Sequence, residues 1–126
     1  MALKVLFVDD EEDLVSTVVE RLDLRGIEAT GAVSGFEALS LIEQKTFDVV
    51  LLDVRMPGLG GLEVIKRIKQ THPELEVVLL SGHGAREDVE TGRHLGAFDY
   101  LQKPVDLEDL IAILQRAATR GEHAPG

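Results

Sequence analysis

A chain of 126 residues, 44% apolar and 29% charged, has the length and composition of one globular domain, which argues against disorder. Its net charge of -10 argues against a nucleic-acid surface, which needs clustered lysine and arginine, and leaves room for a bound cation. It has no cysteine, so disulfide frameworks, thiolate nucleophiles and zinc-thiolate sites are excluded.

The opening MALKVLFVDD carries an apolar run that breaks at Asp9, too short for a signal peptide's apolar region or a membrane span. A cytoplasmic protein without membrane contact is the expectation. Leu3 to Val8 predicts a first strand, and Leu14, Val15, Val18, Val19 and Leu22 form the apolar stripe of a first helix that stops at Gly26. Ile27 to Val33 predicts a second strand. Ser34-Gly35-Phe36-Glu37 has the capping-box form that starts a second helix. Val49 to Leu52 predicts a buried third strand ending at Asp53, after which Met56-Pro57-Gly58 turns the chain. Leu62, Ile65 and Ile68 give a third helix, whose Lys66, Arg67 and Lys69 read as its solvated face.

Val77 to Leu80 predicts a fourth strand. The fourth helix, about Arg86 to Leu95, offers only Val89 and Leu95 as strong anchors, and Gly92 in its middle costs about 1 kcal/mol relative to alanine. It is either a peripheral helix under little packing demand or an element held loosely because it must move. Phe98 to Leu101 predicts a fifth strand. Asp106 then caps a last helix with the stripe Leu107, Leu110, Ile111 and Leu114. The domain is expected over residues 1–120, with 121–126 (GEHAPG) as a flexible tail or the start of a linker.

Five strands alternating with five helices predict an α/β fold, (βα)5, doubly wound on a parallel sheet. In such sheets ligands bind beyond the C-terminal strand ends. Those ends carry Asp9 and Asp10, Asp53, Ser81 and Lys103: three carboxylates, a hydroxyl and an ammonium at one rim. Glu11, Glu12 and Asp13 are explained by the dipole of the following helix, whereas Asp9 and Asp10 sit at the strand end itself. Each position alone has an ordinary explanation. Their joint occurrence at four strand ends is harder to explain by chance. Converging carboxylates repel one another unless a divalent cation joins them, and Mg2+ prefers such oxygen ligands. A carboxylate beside Mg2+ can act as a nucleophile toward a phosphoryl group, with lysine and hydroxyl groups balancing charge on the phosphoryl oxygens.

Asp9-Asp10, the D-x-x-M-P-x-x-x-G run from Asp53 to Gly61, Ser81-Gly82, and GAFDYLQKP from Gly96 to Pro104 occur in order and at characteristic spacings. Over about residues 3–118 the chain thereby resembles the receiver domain of two-component response regulators. The resemblance implies a flavodoxin-like sheet in the order 2-1-3-4-5 and a cis Lys103-Pro104 bond. It implies Asp53 as phospho-acceptor, with Mg2+ (Mn2+ as a substitute) held by Asp9, Asp10, Asp53 and the Arg55 backbone carbonyl. Ser81 is similar to the switch hydroxyl, Tyr100 to the switch aromatic, and Lys103 to the phosphate-pairing ammonium. Arg55 and His83 occupy positions that tune the lifetime of the phosphoryl group.

The implied partners are a sensor histidine kinase or phosphotransfer protein, a downstream effector domain or protein, and a second copy of the phosphorylated chain. No direct contact with nucleic acid is expected. The implied activity is that of a switch rather than an enzyme, limited to self-catalysed phosphotransfer and autodephosphorylation. Two rivals stand beside it: a phosphatase of the haloacid-dehalogenase type, which places its nucleophile after strand one in a D-x-D arrangement, and a pseudo-receiver that binds without being phosphorylated.

Overall fold

In the computed structural model, which describes residues 2–82 and 85–123, strands and helices alternate strictly. In chain order they are β1 (Lys4–Val8), α1 (Glu12–Leu24), β2 (Glu28–Ala32), α2 (Gly35–Gln44), β3 (Val49–Asp53), α3 (Gly61–Thr71), β4 (Glu76–Ser81), α4 (Arg86–His94), β5 (Asp99–Gln102) and α5 (Leu107–His123). The five strands form one parallel sheet in the order 2-1-3-4-5. Helix α5 runs three residues past Arg120, through the first half of the expected tail. No helix among the described residues is long and apolar enough to cross a membrane.

Strand alternation explains why the central strands are apolar at every position. Leu6, Val8, Val50, Leu52, Val77 and Leu79 pack against α2 and α3, through Ala38, Ile42, Val64, Ile65 and Ile68. Val5, Phe7, Val49, Leu51, Val78 and Leu80 face the opposite way, onto Val15, Val18 and Leu22 of α1 and Leu110, Ile113 and Leu114 of α5. Both faces are covered, as parallel sheets require. Each such side chain contributes about 1.5–3 kcal/mol by leaving water. The apolar strands are therefore held in one register, and their polar ends are held with them.

Local signals shape the helix ends. Gly26 adopts a φ of +81°, its amide donates to the Asp23 carbonyl, and the Ile27 amide donates to Leu22. That is a Schellman stop, with Ile27 and Leu22 joining the same apolar cluster. At α2 the Glu37 amide donates to Ser34 Oγ at 3.1 Å. Glu37 Oε1 in turn accepts from Val33, one residue before the amide that an ideal capping box would reach. At α5 the Asp109 amide donates to Asp106 Oδ1 at 3.1 Å. The Lys103-Pro104 bond is cis, as expected.

Gly92 of α4 has a packing reason that its helix propensity does not reveal. It is buried on α4, and a Cβ there would collide with Leu79 Cδ1 of β4. Glycine lets the helix backbone approach the sheet, so α4 is narrowly but closely seated at this point.

Candidate functional site

The pairing of β1 with β3 places Val8 beside Leu52, so the next residues in each chain, Asp9 and Asp53, emerge side by side. Strands β3 and β4 each run one residue beyond their apolar stretches, making Asp53 and Ser81 the last strand residues rather than the first loop residues. The ladder holds them there, with Asp53 paired to Leu80 and Ser81 to Gln102. By alternation Asp9, Asp53 and Lys103 continue the row of side chains that faces α1 and α5. Ser81 continues the Val77-Leu79 row, on the α4 side, and Tyr100 shares that side through its pairing with Leu79.

Asp9 is fully buried, Asp53 is 5% exposed and Ser81 is 4% exposed. Lys103, which follows β5, reaches past the end of β4 to three acids: its Nζ lies 2.8 Å from Asp9 Oδ2, 3.4 Å from Asp53 Oδ2 and 3.4 Å from Glu11 Oε1. The Asp9 contact is a close ion pair, yet its angles are not those of a hydrogen bond, so Asp9 Oδ2 stays buried without one. Asp9 Oδ1 accepts from the Glu11 amide at 2.9 Å, and Asp53 Oδ1 from the Arg55 amide at 3.3 Å. Gly61 closes the loop behind Asp53: a Cβ there would strike the Asp53 carbonyl oxygen and the Val54 backbone. This crowding explains the glycine that ends the D-x-x-M-P-x-x-x-G run.

The electrostatics follow from this crowding. Burial raises the Asp53 carboxyl, and the charge of Asp9 raises it further; Lys103 and the Arg55 amide pull it back only in part. The outcome is a pKa of about 6 against an ordinary 3.8. Burial lowers the Lys103 ammonium, but its close contact with the Asp9 carboxylate and the charges of Asp53 and Asp9 outweigh it, holding it above its ordinary value. Lys103 is thus a permanent cation at neutral pH, facing more negative charge than it can neutralise.

Asp9, Asp10 and Asp53 each offer a carboxylate oxygen, and these oxygens lie within 4.8 Å of one another. Two ligands on opposite sides of an Mg2+ ion, at about 2.1 Å each, span ~4.2 Å. The all-oxygen donor set and the surplus negative charge therefore fit a small hard dication. Asp10 is the exposed member of the three.

Two groups lie apart from this cluster. Ser81 and Tyr100 border a separate groove of about 490 Å³ with Arg86, Glu90 and Gln102. Tyr100 is 39% exposed, and its ring faces the Arg93 guanidinium, 5.0 Å from the ring centroid. His83 lies outside the described residues. Two contacts were not anticipated from the sequence. Glu11, assigned to the α1 dipole, also reaches Lys103. Arg55 Nε donates to Asp88 Oδ2 of α4 at 2.9 Å. Both join residues far apart in the chain, and no local pattern signals them.

A family model described as the response regulator receiver domain matches residues 5–115. The chain is 39% identical over 114 residues to the DNA-binding transcriptional regulator NtrC of Escherichia coli strain K12, covering 90% of this chain and 24% of that protein. It is 39% identical over 120 residues to the transcriptional regulatory protein CpxR of Klebsiella pneumoniae, covering 95% of this chain and 50% of that one. The chain thus spans between about a quarter and a half of the length of these curated relatives. The crystal structure of a response regulator receiver domain protein from Clostridium thermocellum superimposes with a TM-score of 0.91 at 33% identity, covering 95% of this chain and 97% of that one.

Proposed function

The chain belongs to the response regulator receiver domain family, a signalling switch rather than a classical enzyme, and we propose that Asp53 is its phospho-acceptor. The observation that carries this reading is the Asp53 carboxylate itself, nearly buried at a strand end, beside Asp9 and 3.4 Å from the Lys103 ammonium. With a pKa of about 6, Asp53 is mostly ionised at neutral pH and available as a nucleophile. In the proposed step an Asp53 oxygen forms a bond to phosphorus, and the phosphorus-nitrogen bond of a donor phosphohistidine breaks. The imidazole leaves with that electron pair and takes up a proton. Lys103 pairs with the phosphoryl oxygens, and the Ser81 hydroxyl donates to one of them.

Asp9, Asp10 and Asp53, with the Arg55 carbonyl, would hold Mg2+, or Mn2+ in its place. When bound, the ion neutralises charge on the carboxylates and on the transferring group. The donor is proposed to be a sensor histidine kinase or phosphotransfer protein. The face of α4, β5 and α5, carrying Tyr100, is proposed to rearrange for an effector domain or protein, or for a second phosphorylated copy. Such a switch requires the phosphoryl group to interact differently with the two arrangements. Membership in the receiver family, and adjacent acids after β1 in place of D-x-D, favour this reading over the haloacid-dehalogenase alternative.

The test is intact-mass measurement after incubation with Mg2+ and acetyl phosphate. The wild-type protein is expected to gain one base-labile phosphoryl group and Asp53→Asn none. Absence of the adduct on wild type, or its persistence on Asp53→Asn, would overturn the assignment.

A further inference from the structure

Helix α4 has a small apolar seat, since Val89 and Gly92 are its buried residues, and its N-terminus lacks a side-chain cap. Among the described residues it makes an ion pair to another element at each end. Near its C-terminus Arg93 pairs with Asp99 at the start of β5, at 3.2 Å. Near its N-terminus Asp88 pairs with Arg55, at 2.9 Å. The second contact reaches the residue whose own amide donates to Asp53 Oδ1. Arg55 is therefore held at its backbone by the candidate acceptor and at its side chain by α4. Its guanidinium and Asp88 border one shallow groove with Met56, Pro57, Leu62 and Glu63.

We propose that the Arg55-Asp88 ion pair is a positioning contact through which α4 reads the charge on Asp53. In the unmodified domain Asp88 holds the guanidinium on the helix. A phosphoryl group on Asp53 adds negative charge and acceptor oxygens beside the Arg55 backbone, and planar guanidinium groups pair well with phosphoryl oxygens. The modified acceptor therefore competes with Asp88 for Arg55, and the N-terminal half of α4 is released. The Asp88 carboxylate, 32% exposed, loses its partner and opens to solvent. Because the Arg55 side chain is 64% exposed, the pair is a modest tether. It biases the helix rather than locking it. This proposal rests on Asp53 as acceptor.

Hydrogen exchange over residues 85–95, with and without Mg2+ and acetyl phosphate, tests it on wild type, Asp88→Asn, Asp88→Glu, Arg55→Gln and the Asp88→Asn/Arg55→Gln pair. Adduct formation is read by intact mass in the same samples. Unmodified Asp88→Asn is expected to exchange about two- to fivefold faster across α4, the range an exposed ion pair commands. Asp88→Glu, which keeps the charge, should stay close to wild type, and the double variant should exchange no faster than either single. Phosphorylation should accelerate α4 exchange in wild type and add little in Asp88→Asn. An adduct on every variant with identical α4 exchange overturns the tether alone, as does simple additivity in the double variant. No adduct on wild type overturns the acceptor assignment and the tether with it.

Discussion

Replacing Asp53 by Asn removes a charge that the fold holds at a loss. The pKa of Asp53 stands at about 6 against 3.8 for an ordinary aspartate, roughly two units. At 1.36 kcal/mol per unit this is a destabilisation of about 3 kcal/mol when the carboxyl is ionised. The attraction of Lys103 is already contained in that pKa, so it is not added again. The pH dependence has a definite sign. Below pH 3.8 the carboxyl is protonated in both folded and unfolded chains and there is no loss. Between 3.8 and about 6 the unfolded chain releases its proton first, and stability falls. Above about 6 the loss is complete.

Metal-free Asp53→Asn should therefore exceed wild type by about 3 kcal/mol at pH 7.5, and the gap should nearly close at pH 4. For a domain of this size that is a difference of roughly 10 °C in Tm at neutral pH. Urea and thermal unfolding followed by far-ultraviolet circular dichroism, in chelator, measure it without tryptophan, which the chain lacks. Mg2+ should narrow the gap by stabilising wild type more than the variant. Equal stability at pH 7.5, or a gap that widens as pH falls, would refute the picture of an uncompensated buried charge.

The other predictions concern the counter-ion and the α4 seat. Lys103→Ala removes the ammonium facing Asp9 and Asp53, so the Asp53 titration midpoint should move above the wild-type value of about 6; carboxyl carbon NMR in metal-free buffer reads it, and a midpoint unchanged or lower would contradict the ion-pair geometry. Gly92→Ala should forgo the gain of about 1 kcal/mol that alanine ordinarily brings to a helix interior, because the new methyl meets Leu79. Urea unfolding should show a neutral effect or a loss of up to about 2 kcal/mol, whereas the full gain would mean that α4 is loosely seated.

Most of the fold was legible because its signals are local or periodic. Apolar runs such as Val49 to Leu52 mark buried strands, and Ser34, Gly26 and Asp106 mark helix ends through contacts spanning only a few residues. The rim was legible for a related reason: strand ends are found where apolar runs stop, and a parallel sheet brings those ends together. What escaped was set by side-chain reach between distant segments. Lys103 and Glu11 are 92 positions apart, and Arg55 and Asp88 are 33 apart. Neither pair has a spacing that a helix or strand repeat would flag. The reason for Gly92 escaped in the same way, because it lies in Leu79 of a neighbouring strand. Seen along the helix it reads as a weakness; seen across the packing it is a close contact.

The same packing that makes the strands recognisable also crowds the carboxylates of the candidate site. Val49 to Leu52 are fully buried, and the pairing of β3 with β1 sets the nearly buried Asp53 beside the fully buried Asp9. A longer or more polar strand end would let the two carboxylates separate, and the pKa of Asp53 would fall toward its ordinary value. The sheet instead spends part of its apolar stabilisation on holding like charges together, with Lys103 as partial relief. Such a cluster gains free energy from a ligand that brings positive charge to Asp9 and Asp53. It also gains from one that carries negative charge within reach of Lys103. A dication with a phosphoryl group would supply both, so in the proposed switch the electrostatic cost of the unmodified domain is what favours the modified state.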